Sequence, residues 1–248
     1  MSSNFQINPN FTSFKDFLLH IKLDFDKNSS SIHKARNVLK VINYEGQDTI
    51  VKSFKVPHLF NRIIYTFFRD SKAKKSYDYS IKIAPFTPIP IGYIEFYTNS
   101  LLSESYFVSE KFEYDFTIRE PLLDSAFKDR DVIFKAFAKF TYELHEAEIL
   151  HQDYSPGNIL IKRVGNEFLI KVVDINRMEF RPLSLDERLK NFSKLWAVDE
   201  EIAVIAKEYA KISGEDEGYC IKTAQNFNTK HKNKINMKKK LKGIPVVD

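Results

Sequence analysis

The sequence predicts an α+β fold in two lobes, a small β-rich N-lobe followed by a larger helical C-lobe. Strand-like runs fill most of the first half, helical patterns fill most of the second, and one hairpin in the second half follows a short polar loop. A chain of 248 residues is long enough for two lobes that share a cleft. With 43% hydrophobic and 29% charged residues it has an ordinary soluble composition, and its 22 Phe and 12 Tyr against 7 Gly predict aromatic cores.

Residues 1–28 read as an N-terminal flank whose Phe14, Phe17, Leu18 and Ile21 share a helical face and lie against the body. The N-lobe spans 29–110. Val38 to Tyr44 and Thr49 to Phe54 are β-branched runs around the turn Glu45-Gly46-Gln47-Asp48, which predicts a hairpin. Lys74 to Ile83 reads as a helix closed off by Pro85, Pro88 and Pro90. Ile91 to Phe96 and Ser105 to Phe112 read as a second antiparallel pair. The C-lobe spans 111–227, with an amphipathic helix over Phe134 to His145. Two strands follow, Asn158 to Ile161 and Phe168 to Val173, around Val164-Gly165-Asn166, and a further helix starts near Asp186. No internal repeat or heptad run interrupts this order.

Charge is uneven. The net +5 belongs to a basic C-terminal tail, 228–248, which holds seven Lys and one acid, so the remainder carries 31 basic and 32 acidic residues. A run of this kind is a solvated, mobile end, or an electrostatic hold on an anionic surface to which each Lys adds ~1 kcal/mol. No groove-reading motif accompanies it, which argues against nucleic acid. Residues 59–69 are apolar with Arg62 and Arg69, and read either as a core element or as a membrane-contacting stretch. The lone Cys220 excludes an intrachain disulfide and is expected to pack, and no stretch approaches the about 20 apolar residues of a spanning helix. With no signal-peptide pattern at Met1 to Gln6, a cytoplasmic location is expected.

The most informative stretch is His151-Gln152-Asp153-Tyr154-Ser155-Pro156-Gly157-Asn158, with Asp174 sixteen residues further on. The spacing H-x-D-x-x-x-x-N…D suits phosphoryl transfer from ATP: one carboxylate receives the proton of an attacking hydroxyl, while an amide oxygen and a second carboxylate hold magnesium. Asp153 and Asn158 alone would read as caps of the turn into the next strand. The set in register favours chemistry.

With those residues quoted, the chain resembles the protein-kinase-like superfamily, closest to the bacterial lipopolysaccharide core kinases that phosphorylate Kdo and heptose. The resemblance rests on Leu144 to Leu160 and Val173-Asp174-Ile175-Asn176-Arg177-Met178, with Thr87-Pro88-Ile89-Pro90-Ile91-Gly92-Tyr93 upstream, and covers roughly residues 33–200. It implies that Asp153 is the catalytic base, that Asn158 and Asp174 bind Mg, and that His151 braces the loop. Lys52 would grip the α- and β-phosphates of ATP and, with Asp78 as its helix partner, align the donor. Backbone groups of Ser109, Glu110 and Lys111 would meet adenine where the lobes join.

Three departures from the superfamily pattern bear on the acceptor. Ser29 to Asn37 replaces a glycine-rich loop, Ile175-Asn176 follows the metal aspartate, and no peptide-holding segment follows Arg181-Pro182-Leu183. Ser155 also stands where protein kinases place a lysine. The resemblance therefore implies transfer to a sugar or glycolipid hydroxyl, at the inner face of the bacterial inner membrane, with membrane contact through the tail and residues 59–69. A short atypical protein kinase and a non-catalytic pseudokinase scaffold are the alternatives.

Overall fold

The computed structural model describes residues 2–28, 31–34, 37–55 and 58–245. By its contacts the chain divides into two compact units, Met1–Glu113 and Tyr114–Asp248.

The first unit is built on a six-stranded antiparallel sheet. Its elements are β1 (Ser2–Ile7), α1 (Lys15–Lys27), β2 (Ser31–Lys34), β3 (Asn37–Tyr44), β4 (Gln47–Lys55), α2 (Leu59–Phe67), α3 (Lys72–Lys82), β5 (Pro90–Thr98) and β6 (Leu101–Glu110). The strand order is β1-β5-β6-β4-β3-β2. Both expected hairpins are present with tighter turns. Tyr44 pairs with Gln47 across Glu45-Gly46, and Thr98 pairs with Leu101 across Asn99-Ser100. All four turn residues have left-handed φ, the arrangement that matches the right-handed twist of two flanking strands. Residues 2–28 supply an edge strand and a helix to this unit. Phe17, Leu18, Ile21 and Phe25 of α1 pack with Val51, Ile94 and Val108 of the sheet. Gly92 makes that approach possible, since a Cβ there would stand 2.7 Å from the Gln6 carbonyl oxygen and 2.6 Å from Leu18 Cδ1.

On a second cluster, Ala73 and Tyr77 of α3 pack with Phe54 and Tyr93, with Phe107 against them. Ser71 starts α3 by accepting the Lys74 N–H at 3.0 Å. The core reading of residues 59–69 does not hold, because α2 buries none of its residues. Of the segment that replaces a glycine-rich loop, Ser29, Ser30, Ala35 and Arg36 lie outside the described residues.

The second unit is mainly helical. It comprises β7 (Phe116–Thr117), α4 (Arg119–Leu123), α5 (Arg130–Glu146), β8 (Ile149–His151), β9 (Ile159–Val164), β10 (Glu167–Val172), β11 (Met178–Phe180), α6 (Leu185–Asn191), α7 (Asp199–Ser213) and α8 (Glu217–Leu241). The β9–β10 hairpin turns at Gly165, with φ +60°, and β7 pairs with the other edge of β9. β8 and β11 form a separate antiparallel pair. Ile133, Phe134, Phe137, Ala138, Thr141, Leu144 and His145 recur at helical spacing as the buried stripe of α5. A capping box between Ser184 and Glu187 opens α6.

The basic tail is not a loose end: Lys230 to Lys240 continue α8. Cys220, Ala224 and Asn228 form its buried stripe, and the Asn228 amide donates to the Ala197 carbonyl at 2.9 Å. Further along, the Lys239 ammonium stands 5.4 Å from the Trp196 ring centroid. Cys220, Ala224 and Asn228, spaced four apart, give the helix a buried stripe ahead of its lysine-rich end.

Candidate active site

The loop from His151 to Asn158 is suspended between α5 and the β9–β10 hairpin by bonds that begin at His151. The imidazole is fully buried. The Asp153 N–H donates to its Nδ1 at 3.1 Å, and its Nε2 lies 3.0 Å from the Val173 carbonyl oxygen. A ring that accepts at Nδ1 and meets a carbonyl at Nε2 is neutral with its proton on Nε2. Burial pushes its pKa below the ordinary histidine value, against smaller contributions from the Val173 carbonyl, Asp153 and Asp174, so the neutral form is favoured. One side chain thus ties the backbone of Asp153 to the residue before Asp174.

The other loop bonds reinforce this. The Asn158 side-chain amide donates to the Asp153 carbonyl at 2.9 Å, and the Asn158 N–H donates to the Ser155 carbonyl at 2.9 Å, closing a 3-10 turn over Pro156–Asn158. The Val173 N–H donates to the Asn158 carbonyl at 2.9 Å, extending the β9–β10 ladder by one step. Asn158 and Asp174 therefore flank the end of a ladder whose strands are ~4.8 Å apart. At Asp174 the backbone turns left-handed, φ +57°, which Asp tolerates better than most side chains. The Asn176 amide donates to Asp174 Oδ1 at 2.7 Å.

Behind the loop, Tyr154 is fully buried, stacks on Phe137 with centroids 5.6 Å apart, and its hydroxyl lies 2.8 Å from Thr141 Oγ1. The Asn191 amide donates to the His151 carbonyl at 3.0 Å and its oxygen faces His145 Nε2 at 3.3 Å, while His145 Nδ1 faces the Tyr209 hydroxyl at 3.1 Å. Burial lowers the His145 pKa to about 4. His145 is a buried packing residue, as its place one turn before the loop suggests.

Asn158 offers a fit test for a hard cation. Its NH2 is committed to the Asp153 carbonyl, which leaves Oδ1 as its side-chain donor atom, and Asp174 follows directly on Val173, whose N–H meets the Asn158 carbonyl. Two protein oxygens with the remaining positions filled by phosphate and water is the donor set magnesium takes at nucleotide sites. Asp153 itself is half-buried at the tip of the loop.

In the first unit, Lys52 lies on β4 opposite Leu39 and Phe107, with its ammonium 5.3 Å from the Phe54 ring centroid. Asp78, on α3, bonds Lys74 one turn earlier at 3.0 Å, and this contact is the largest cause of the raised Lys74 pKa. The Glu110 carboxylate accepts from the Gln47 amide at 2.7 Å, and Lys111 pairs with Glu113 at 2.7 Å and Asp48 at 3.6 Å. The Glu110 and Lys111 N–H groups donate to the Ile89 and Asp48 carbonyls, so both amides already serve the sheet.

Four contributors to the loop were given no role in it by sequence. Tyr154 and Asn191 hold it from behind, Asn176 holds the Asp174 carboxylate, and Arg119 lies against Gly157, where a Cβ would stand 2.7 Å from Nη2. An aromatic residue inside a polar loop was the signal for Tyr154. Nothing local marks Asn191, forty residues beyond His151.

A β-rich first unit and a helical second unit carrying this loop and hairpin define a mixed α/β, protein-kinase-like fold. Among solved structures the chain is similar to WaaP in complex with acyl carrier protein, with a TM-score of 0.59 and 13% identity over 94% of this chain and 98% of that chain. At that identity the likeness is one of fold. No protein-family model and no curated protein sequence matches the chain.

Proposed function

We propose that the chain is an ATP- and magnesium-dependent phosphotransferase that phosphorylates a sugar hydroxyl of lipopolysaccharide core, Kdo or heptose, or of a related glycolipid. The observation that carries this reading is the neutral His151 bridge from the Asp153 amide to the Val173 carbonyl. A purely structural turn needs no buried imidazole spanning two segments. A site that must hold a base and a metal carboxylate in fixed relation does.

In this reading Asp153 orients the acceptor hydroxyl and takes its proton, the role of the loop aspartate in phosphoryl transfer. Asn158 Oδ1 and the Asp174 carboxylate hold magnesium, with Asn176 fixing the Asp174 rotamer. Bound magnesium neutralises charge on the phosphates of the donor. His151 acts as a positioning residue. Lys52 supplies a cation to the donor phosphates, and Asp78, which shares itself with Lys74, steadies the α3 side. Because the Glu110 and Lys111 amides are used within the sheet, adenine recognition falls to other backbone groups of this stretch. Ser155 in place of a lysine and the short run from Asp174 to α6 support a sugar acceptor over a peptide.

The test is transfer from labelled ATP to dephosphorylated lipopolysaccharide core and, separately, to protein acceptors. Asp153→Ala should lower turnover by ~10²–10⁴ while ATP binding persists. Wild-type turnover in that variant would sink the mechanism. Label on protein alone would shift the reading to an atypical protein kinase, and magnesium-dependent ATP binding without transfer to a scaffold.

A further inference from the structure

Helix α2 is built inside out for a water-soluble surface. Its polar side is the attached one. Arg62 donates from Nε to the Leu102 carbonyl at 2.9 Å and from Nη2 to the Thr98 and Leu101 carbonyls at 3.0 and 3.2 Å. Thr66 Oγ1 accepts the Leu102 N–H at 2.9 Å and donates to the Arg62 carbonyl. These bonds clamp the helix to the β5–β6 turn. At 100° per residue, Leu59, Ile63, Phe67 and Phe60 span one arc of about 100°, with Thr66 and Arg62 bordering it on the Leu59 side and Phe60 and Phe67 farthest from them. That face is in solvent: Leu59 is 63% exposed, Phe60 74%, Ile63 38%, Phe67 66%, and Phe68 at the helix end 78%. Five large apolar side chains exposed within ten residues is a patch that soluble surfaces rarely keep without a use.

We propose that this face of α2 inserts into the interfacial region of a lipid leaflet rich in acidic headgroups. Charge selects that occupant. Residues 55–69 contain Lys55, His58, Arg62 and Arg69 and no Asp or Glu. Lys55 and Arg69 are exposed and flank the helix in sequence, cations that headgroup phosphates would attract. A nine-residue helix is about 13.5 Å long, far short of the ~30 Å hydrocarbon core, so it would lie in the plane of the interface. Among the described residues no helix is long and apolar enough to cross a membrane. Arg62, which sequence alone would aim at lipid phosphate, is instead the clamp that holds the apolar face outward. The anchor is a property of the first unit and is read without ATP, so it stands or falls apart from phosphotransfer.

Full-length protein is floated with phosphatidylcholine vesicles, with and without about one-third phosphatidylglycerol. Wild type should float with the acidic vesicles only. Phe60→Ser with Phe67→Ser should cut partitioning by about tenfold or more, with unchanged circular dichroism and melting temperature. In a second variant, Phe60→Trp should show quenching by acyl-chain bromine beyond that of Trp196. Failure of wild type to float, wild-type flotation by the folded double variant, or absence of added quenching would overturn the proposal. So would a wild-type dimer in sedimentation that the double variant converts to monomer, since the face would then belong to a second copy.

Discussion

His151 and Asp153 are joined by a hydrogen bond from the Asp153 N–H to Nδ1 at 3.1 Å, while the other ring nitrogen meets the Val173 carbonyl. The loop is therefore locked to the β10 end by a group that works only when neutral. His151→Phe keeps an aromatic ring and removes both bonds. Turnover should fall about 10- to 100-fold, each lost buried bond costing ~1–3 kcal/mol, with donor affinity changed less than kcat. Steady-state kinetics with a melting curve separates this positioning role from loss of fold.

Acid should unfold the protein through its buried histidines. His145 has a folded pKa of about 4 against an ordinary 6.5. Between those values the unfolded chain binds the extra proton, so stability rises with pH. This contribution is fully present above about pH 6.5 and lost progressively as pH falls to about 4, up to ~3 kcal/mol, with His151 acting in the same direction. Urea midpoints across that range should show the slope, and His145→Gln should flatten it.

Tyr154 anchors the loop through ring area more than through its hydroxyl. Tyr154→Phe should cost ~1 kcal/mol, because Thr141 still donates to the Phe137 carbonyl. Tyr154→Ala should cost ~3–5 kcal/mol and lower the melting temperature by about 10 °C. Equal destabilisation by the two variants would contradict this division.

Gly157 and Arg119 form a third contact to test. A methyl at Gly157 meets only the far end of the Arg119 side chain, which can swing away. Gly157→Ala should leave stability within ~1 kcal/mol of wild type. If the guanidinium matters to transfer, Gly157→Ala and Arg119→Ala should lower activity similarly and the double variant no further, a non-additivity read from a double-mutant cycle.

Much of the candidate loop's geometry was legible because it is local. His151, Asp153 and Asn158 sit on one loop, and the hairpin that brings Asp174 back beside Asn158 is written in two apolar runs around Gly165. Both N-terminal hairpins and α5 were legible for the same reason: period and turn chemistry act between neighbours. Further bonds made by these residues were not. Asp78 bonds Lys74 on its own helix, and the Glu110 and Lys111 amides are taken by Ile89 and Asp48.

By itself, then, the sequence determined the kind of loop, the strand pairs closed by short turns, and the kinase-like fold. Each of these depends on residues a few positions apart. Tertiary structure alone decided that β1 pairs with β5 some ninety residues away, that α8 buries Cys220, Ala224 and Asn228 ahead of its lysine-rich end, and that α2 turns its arginine inward and its phenylalanines out. Those outcomes depend on which carbonyls and apolar faces remote segments leave uncovered, and spacing along the chain carries no information about that.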